Sequence, residues 1–211
     1  MNKFKIGVVG NGYVGKATQL LKCDDVECLV YDKDPEKCDP KGTTPRDLKS
    51  SDFVFVCVPT PMKQNGSCDL SIVKAAIKDL TREGIRKNKI IIRSTVPVGT
   101  CEKLKVNFMP EFLTEKNWQE DFRDNNLWVF GCDNLTHVTQ EDKVLNFPST
   151  VCKVRELLKF AQDSGKIKDD AVTFVSTKNA ELVKYARNSF LAVKISFFNE
   201  VQEFCINNDL N

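Results

Sequence analysis

The sequence predicts an α/β protein: a doubly wound, mostly parallel sheet followed by one long C-terminal helix. Three observations carry that expectation. Short β-branched apolar runs alternate with stretches of helical spacing, the pattern of strands buried between two layers of helices. A glycine motif, Gly10-Asn11-Gly12-Tyr13-Val14-Gly15, follows the first apolar run directly and opens the first helical stretch. From Lys178 to Asn207 the chain contains neither proline nor glycine, which allows a helix of about 45 Å.

The elements follow in order. "KFKIGVVG" reads as a buried strand and "YVGKATQLLKC" as the helix after it. "VECLVYD" is the second strand, and "FVFVCVP" and "KIIIRST" are further buried strands. Between those two, "SIVKAAIKDLTREG" has the apolar spacing of an amphipathic helix that stops near Gly84. "NFMPEFLTE" puts Glu111 and Glu115 four residues apart behind Pro110, on one side of a short helix whose first position suits proline. "LWVFGC" is a strand, "VCKVRELLKFAQ" a helix and "AVTFVS" the last strand. Residues 133–149 are irregular and read as loop. Thr177 is placed to cap the long helix. Met62, Trp118 and Trp128 read as packing residues, and so does Cys205.

Composition narrows the function. The chain has 211 residues, enough for one large domain or one domain with an appendage, and a net charge of +2. That balance points to neither a nucleic-acid groove nor an anionic membrane surface. Nothing resembles a signal peptide, and no stretch approaches the ~20 apolar residues of a membrane span. The nine cysteines are irregularly spaced, without C-x-x-C, and His137 is the single histidine. No metal site is expected, and the thiols suit a reducing, cytoplasmic setting.

The glycine motif in this context marks a Rossmann-type dinucleotide site. The first glycine allows the tight turn, the second lets backbone approach a pyrophosphate, and the third lets helix and strand pack closely. Asp32 closes the second strand, where a carboxylate accepts from a ribose and repels a 2′-phosphate, so NAD is expected over NADP. "CVPTP" (57–61) and "STVPVGT" (94–100) both follow strands, at the carboxyl ends where open α/β sheets bind ligands; each alone is also an ordinary proline turn. Lys184 and Asn188 share one face of the long helix. The stretch "FLAVKISFFNEVQEFCI" is apolar around most of its circumference, so a second subunit or another domain must cover it.

Together these segments resemble the UDP-glucose/GDP-mannose dehydrogenase family. The resemblance rests on "GNGYVG", "YD" at 31–32, "CVPTP" with "NGSCDLS", "STVPVGT", "MPEFLTE", the "DF…LWVFG" run at 121–131, and "AELVKYARNSFLAVKISFFNE". It implies an NAD-binding domain over 1–177 and a central dimerisation helix over 178–211. It also implies a two-step oxidation of a sugar nucleotide's C6 alcohol, UDP-glucose foremost, to a carboxylate with two NAD. Gly10, Gly12, Tyr13, Val14, Gly15, Asp32, Thr60 and Thr95 are then expected at the cofactor. Glu111 is expected in acid/base work with Glu115 and Thr95 nearby. Lys184 and Asn188 are expected to stabilise an oxyanion at C6.

The sequence departs from the family pattern in two ways. Met109 and Lys116 replace the asparagine before Pro-Glu and the glycine after the second glutamate. The sequence also ends at Asn211, before the family's cysteine-bearing, sugar-nucleotide-binding domain, so the chain alone is expected to be inactive and to use a UDP-sugar only when completed. Other readings remain: a single oxidation of the β-hydroxyacid dehydrogenase type, or a non-catalytic NAD-binding assembly subunit.

Overall fold

The computed structural model describes residues 3–133 and 149–210. Its sheet comprises β1 (Phe4–Val9), β2 (Val26–Tyr31), β3 (Phe53–Val56), β4 (Ile90–Ile92), β5 (Asn107–Phe108), β6 (Trp128–Gly131) and β7 (Val172–Val175). The strand order is β2-β1-β3-β4-β5-β6-β7. All neighbours are parallel except β5 and β6, which meet antiparallel at Phe108 and Gly131. The chain leaves β1 toward β2 on one side and returns to β3 on the other. A crevice therefore opens beyond the carboxyl ends of β1 and β3, where ligands of such sheets bind.

The alternation of side chains along each strand sorts the core into two layers. Ile6, Val8, Phe53, Phe55 and Ile91 point to one face and pack with α1 (Tyr13–Gln19) and α5 (Ser149–Asp163). Val9, Val54, Val56, Ile90 and Ile92 point to the other and pack with α2 (Ser71–Arg82) and α3 (Thr100–Leu104). This is why the strands read as continuous apolar runs: both faces are covered.

The long helix, α6 (Thr177–Asn207), has 31 residues. Its first turns sit on β6, where Gly131 makes the approach possible: a Cβ there would stand 2.8 Å from the Ala180 side chain and 3.0 Å from the Thr177 backbone. Beyond that region the helix leaves the sheet. Phe190, Val193, Ile195, Phe197, Phe198, Phe204 and Ile206 are all exposed.

Five expectations need correction. Residues 110–114 form no helix; α4 (Trp118–Arg123) begins later. Side chains offer this backbone alternative partners, for Glu111 accepts from the Leu113 N–H and Asp121 accepts from both the N–H and hydroxyl of Thr114. The cap of α6 is Ser176, which accepts from the Asn179 N–H, while the Thr177 hydroxyl binds Asp133. The first helix ends at Gln19, short of the expected Cys23. Met62 is exposed in the 59–70 loop and packs in no core. Cys205 is half-exposed on α6, because nothing covers that part of the helix among the described residues. Trp128 is buried and Trp118 partly so, as expected. Of the loop expected over 133–149, residues 134–148 lie outside the described residues, and so does His137.

Candidate functional site

The glycine loop closes the crevice at the end of β1. Gly10 has φ +95°, a region that costs a side-chain-bearing residue dearly, and a Cβ there would also lie 2.6 Å from the Cys57 carbonyl. A Cβ on Gly15 would meet the Gly10 carbonyl at 1.9 Å, so only glycine lets α1 seat this close to the turn. Gly12 faces open space, with nothing within 4 Å of its would-be Cβ. No side chain caps the start of α1, which leaves its first N–H groups directed at the crevice.

Asp32 stands at the far end of the same loop. Its Oδ2 accepts from the Asn11 N–H at 2.7 Å and its Oδ1 from the Asp34 N–H at 2.9 Å. These bonds fix the carboxylate's orientation and tie β2 to the glycine turn; each oxygen keeps a further lone pair for a ligand. The Asn11 side chain donates to the Lys37 carbonyl and accepts from Gln19, bracing the turn from behind. The cavity that begins here holds about 620 Å³. It runs past Tyr31, Asp32 and Pro45, along Gly10–Val14 and Thr60, to Arg93, Ser94, Thr95 and Glu111.

The two proline turns meet at this second end. Thr60 Oγ1 donates to the Thr95 carbonyl at 2.9 Å, and Ser94 Oγ donates to the Val58 carbonyl at 2.6 Å. "CVPTP" and "STVPVGT" are thus one hydrogen-bonded wall. Beside them lies the most buried ion pair among the described residues. Lys184 Nζ donates to the Glu111 carboxylate and to the Glu111 carbonyl, each at 2.6 Å, with both side chains 6% exposed. Phe112 lies under the pair, 5.9 Å from the ammonium, and carries the Arg187 guanidinium at 4.5 Å.

Of the residues expected at a site, Gly10, Gly12, Tyr13, Val14, Asp32, Thr60, Thr95 and Glu111 line this single cavity. Lys184 joins them through Glu111. Gly15 lies behind the loop and serves packing. Glu115 and Asn188 are exposed and lie outside the cavity lining, and their side chains make no hydrogen bond among the described residues. Glu115 is near enough to act on Tyr13: burial raises the phenol's pKa above its ordinary value, and the charges of Glu111 and then Glu115 raise it further.

Sequence reasoning missed Glu181. It is fully buried on α6, and its carboxylate accepts from the Gly99 N–H at 2.5 Å and the Cys101 N–H at 2.8 Å. It caps α3 from another element and so holds the turn that carries Thr95. The only signal was an acid in the otherwise apolar "AELV", one turn before Lys184. The buried thiols are poor nucleophiles: burial pushes Cys57 up to about 11, with Arg93 pulling partly back, and raises Cys101 still further. No group of three or more metal-ligating side chains occurs among the described residues, and no helix among them is long and apolar enough to cross a membrane.

Fold and cleft define a Rossmann-type dinucleotide-binding protein. Residues 41–146 match the NAD-binding domain of the UDP-glucose/GDP-mannose dehydrogenase family, and residues 178–211 match that family's central domain. The chain belongs to this family, and NAD is its cofactor. It is 28% identical to the UDP-glucose 6-dehydrogenase of Rhizobium meliloti (strain 1021), over 95% of this chain and 52% of that protein. It is 32% identical to the putative UDP-glucose 6-dehydrogenase YtcA of Bacillus subtilis (strain 168), again over 95% of this chain and 52% of the relative. Among solved structures, a ternary complex of GDP-mannose dehydrogenase from Pseudomonas aeruginosa superposes with a TM-score of 0.79 at 21% identity, covering 100% of this chain and 54% of that one. That last likeness is one of fold. The chain spans about half the length of the curated relatives named here.

The cavity fits the cofactor: an open Cβ-free position at Gly12, uncapped N–H groups at α1 and an oriented carboxylate at Asp32 are what a dinucleotide requires. The ion pair beside it carries a stability consequence. Lys184→Met strands the Glu111 carboxylate in a buried setting and is expected to cost about 3–5 kcal/mol. Lys184→Met combined with Glu111→Gln should cost clearly less than the sum of the single changes. Urea unfolding of the four proteins measures the cycle; additive losses would contradict direct coupling.

Proposed function

We propose that this chain forms the cofactor-binding and dimer-forming part of a UDP-sugar 6-dehydrogenase, with UDP-glucose its foremost substrate. The observation that carries the reading is the Lys184–Glu111 pair, 2.6 Å apart and buried beside the cavity that begins at Asp32. Asp32 accepts from the adenosine ribose, and Gly10 to Gly15 bring backbone to the pyrophosphate. Thr60 and Thr95 hold the nicotinamide end. NAD, when bound, supplies the acceptor for the hydride lost by the alcohol carbon.

The remaining work belongs to side chains. Glu111 accepts a proton at its carboxylate, and the exposed Glu115 serves the same region. Lys184 spends two of its three N–H donors on Glu111; the third is available to an oxygen on which negative charge grows. Asn188, one helical turn on, adds an amide donor once a substrate covers the exposed face. The apolar second half of α6 pairs with its copy in a homodimer. Nine unpaired cysteines suit a cytoplasmic protein.

Three measurements test this reading. Titration calorimetry should show NAD bound more tightly than NADP. Asp32→Ala should cost about 1.5–3 kcal/mol of NAD affinity and narrow the difference, because a hydrogen-bonded charge is lost where the 2′-phosphate would be repelled. Equal affinities in the unmodified chain would remove Asp32 from its role. Light scattering at micromolar concentration should give a dimer, and removal of residues 190–211 a monomer; an intact monomer would count against pairing through α6. For the chemistry, NADH formation from UDP-glucose is followed for the 211 residues alone and for the same residues fused to the remaining half of the Rhizobium meliloti relative. Turnover is expected only from the fusion, and Lys184→Ala should lower its kcat by at least ~100-fold, as loss of an oxyanion donor does. A fully active Lys184→Ala fusion would overturn the assignment.

A further inference from the structure

Arg93 ends the apolar run of β4 and is 1% exposed, the largest fully buried side chain among the described residues. A buried charge is costly unless it is paired, yet no carboxylate lies within salt-bridge distance of this guanidinium among the described residues. Its Nε has no hydrogen-bond partner there. Its remaining contacts are weak: one N–H approaches the Met109 sulfur at 3.9 Å, and the Phe122 ring lies 5.7 Å away. Arginine does not neutralise itself under such pressure; burial draws its pKa down, but from a value so high that the charge stays.

The position of this charge gives it a target. Arg93 lines the large cavity at the end occupied by Ser94, Thr95 and Glu111, opposite Asp32. With the adenosine ribose at Asp32, that end is left for the nicotinamide. Glu111 attracts Arg93 without reaching salt-bridge distance, but it is already matched by Lys184 at 2.6 Å, so Arg93, Lys184 and Glu111 together carry one net positive charge. Glu115 and Arg187 are exposed and screened by solvent. Tyr13 and Cys57 are neutral at ordinary pH, since burial raises both.

The oxidised nicotinamide ring is a cation and the reduced ring is neutral, whereas the pyrophosphate is the same in both. We infer that Arg93 is a redox-state selector for the cofactor: its unpaired buried charge disfavours NAD+ relative to NADH and so biases the bound couple toward reduction. The inference rests on the NAD reading of the cavity and adds to it a residue that no glycine or ribose contact involves.

The test compares two dissociation constants on one protein. NADH is titrated by its fluorescence into the 211-residue chain, and NAD+ is measured by displacement of NADH in the same buffer. ADP-ribose, which lacks the ring, is the internal standard. The unmodified chain should bind NADH more tightly than NAD+. Arg93→Met and Arg93→Gln should raise the ratio Kd(NADH)/Kd(NAD+) on the order of tenfold, the scale of one unit charge acting through partly screened protein. Arg93→Lys should leave the ratio in place, and ADP-ribose affinity should not change in any variant. An unmoved ratio in a neutral variant that still binds ADP-ribose overturns the inference and leaves the cofactor reading intact. Where neither neutral variant folds, the unmodified chain decides: equal or tighter binding of NAD+ overturns it. Failure of both NADH and ADP-ribose to bind the unmodified chain overturns the cofactor reading and this inference with it.

Discussion

The docking of α6 depends on putting ionised groups where water does not reach. Glu181 and Lys184 are three residues apart, hence on one face of the helix, and both are buried. Each is satisfied by a different loop: Glu181 by the N–H groups of Gly99 and Cys101, Lys184 by the carboxylate and carbonyl of Glu111. Neither charge could be buried unless both loops took the conformations they have. The helix therefore determines the shape of the two turns that carry Thr95 and Glu111, and these turns determine where the helix lies. Gly131 lets this happen by removing the side chain that would keep α6 off β6.

The fold was legible because its signals are local and repeated. Each buried strand is a run such as Val54–Val56 or Ile90–Ile92, and the glycine turn sits between strand and helix as it must. Asp32 was legible for the same reason: its place follows from the end of a strand. The turn after Pro110 was not. Proline followed by two acids at helical spacing is a reasonable helix start, but Glu111 and Asp121 offer the backbone N–H groups of Leu113 and Thr114 other partners. A bond from Asp121 back to Thr114 spans seven residues, and periodicity carries no trace of it. The one-residue error at the cap of α6 has a similar cause. Ser176 and Thr177 are both good caps, and only the presence of Asp133 at the Thr177 hydroxyl separates their roles.

Glu181 and Arg93 were hidden for a different reason. Both are charged residues in apolar surroundings, and from sequence such a residue reads as a solvated interruption. What distinguishes them is tertiary. Glu181 has two donors waiting from a segment about 80 residues earlier. Arg93 has almost none, a deficit set by the Met109 and Phe122 side chains that the fold packs around it. Resemblance to a family pattern helped with Lys184, whose spacing from Asn188 is motif-like, and gave no help with the neighbouring acid.

The helix also divides the molecule into a settled and an unsettled part. Through Lys184 its charged groups are paired and its small residues pack. From Phe190 onward, aromatic and branched side chains stand in water at a cost of about 25 cal/mol per Å² of apolar surface left uncovered. A sequence that places phenylalanine at 190, 197, 198 and 204 has not been shaped to expose them. Phe190 to Phe204 belong to the same helix as the Lys184 turn, and Arg187 stacks on Phe112, next to Glu111, so under the proposed pairing through α6 a surface that covered the apolar half would reach the Asn188 and Arg187 side of the site as well.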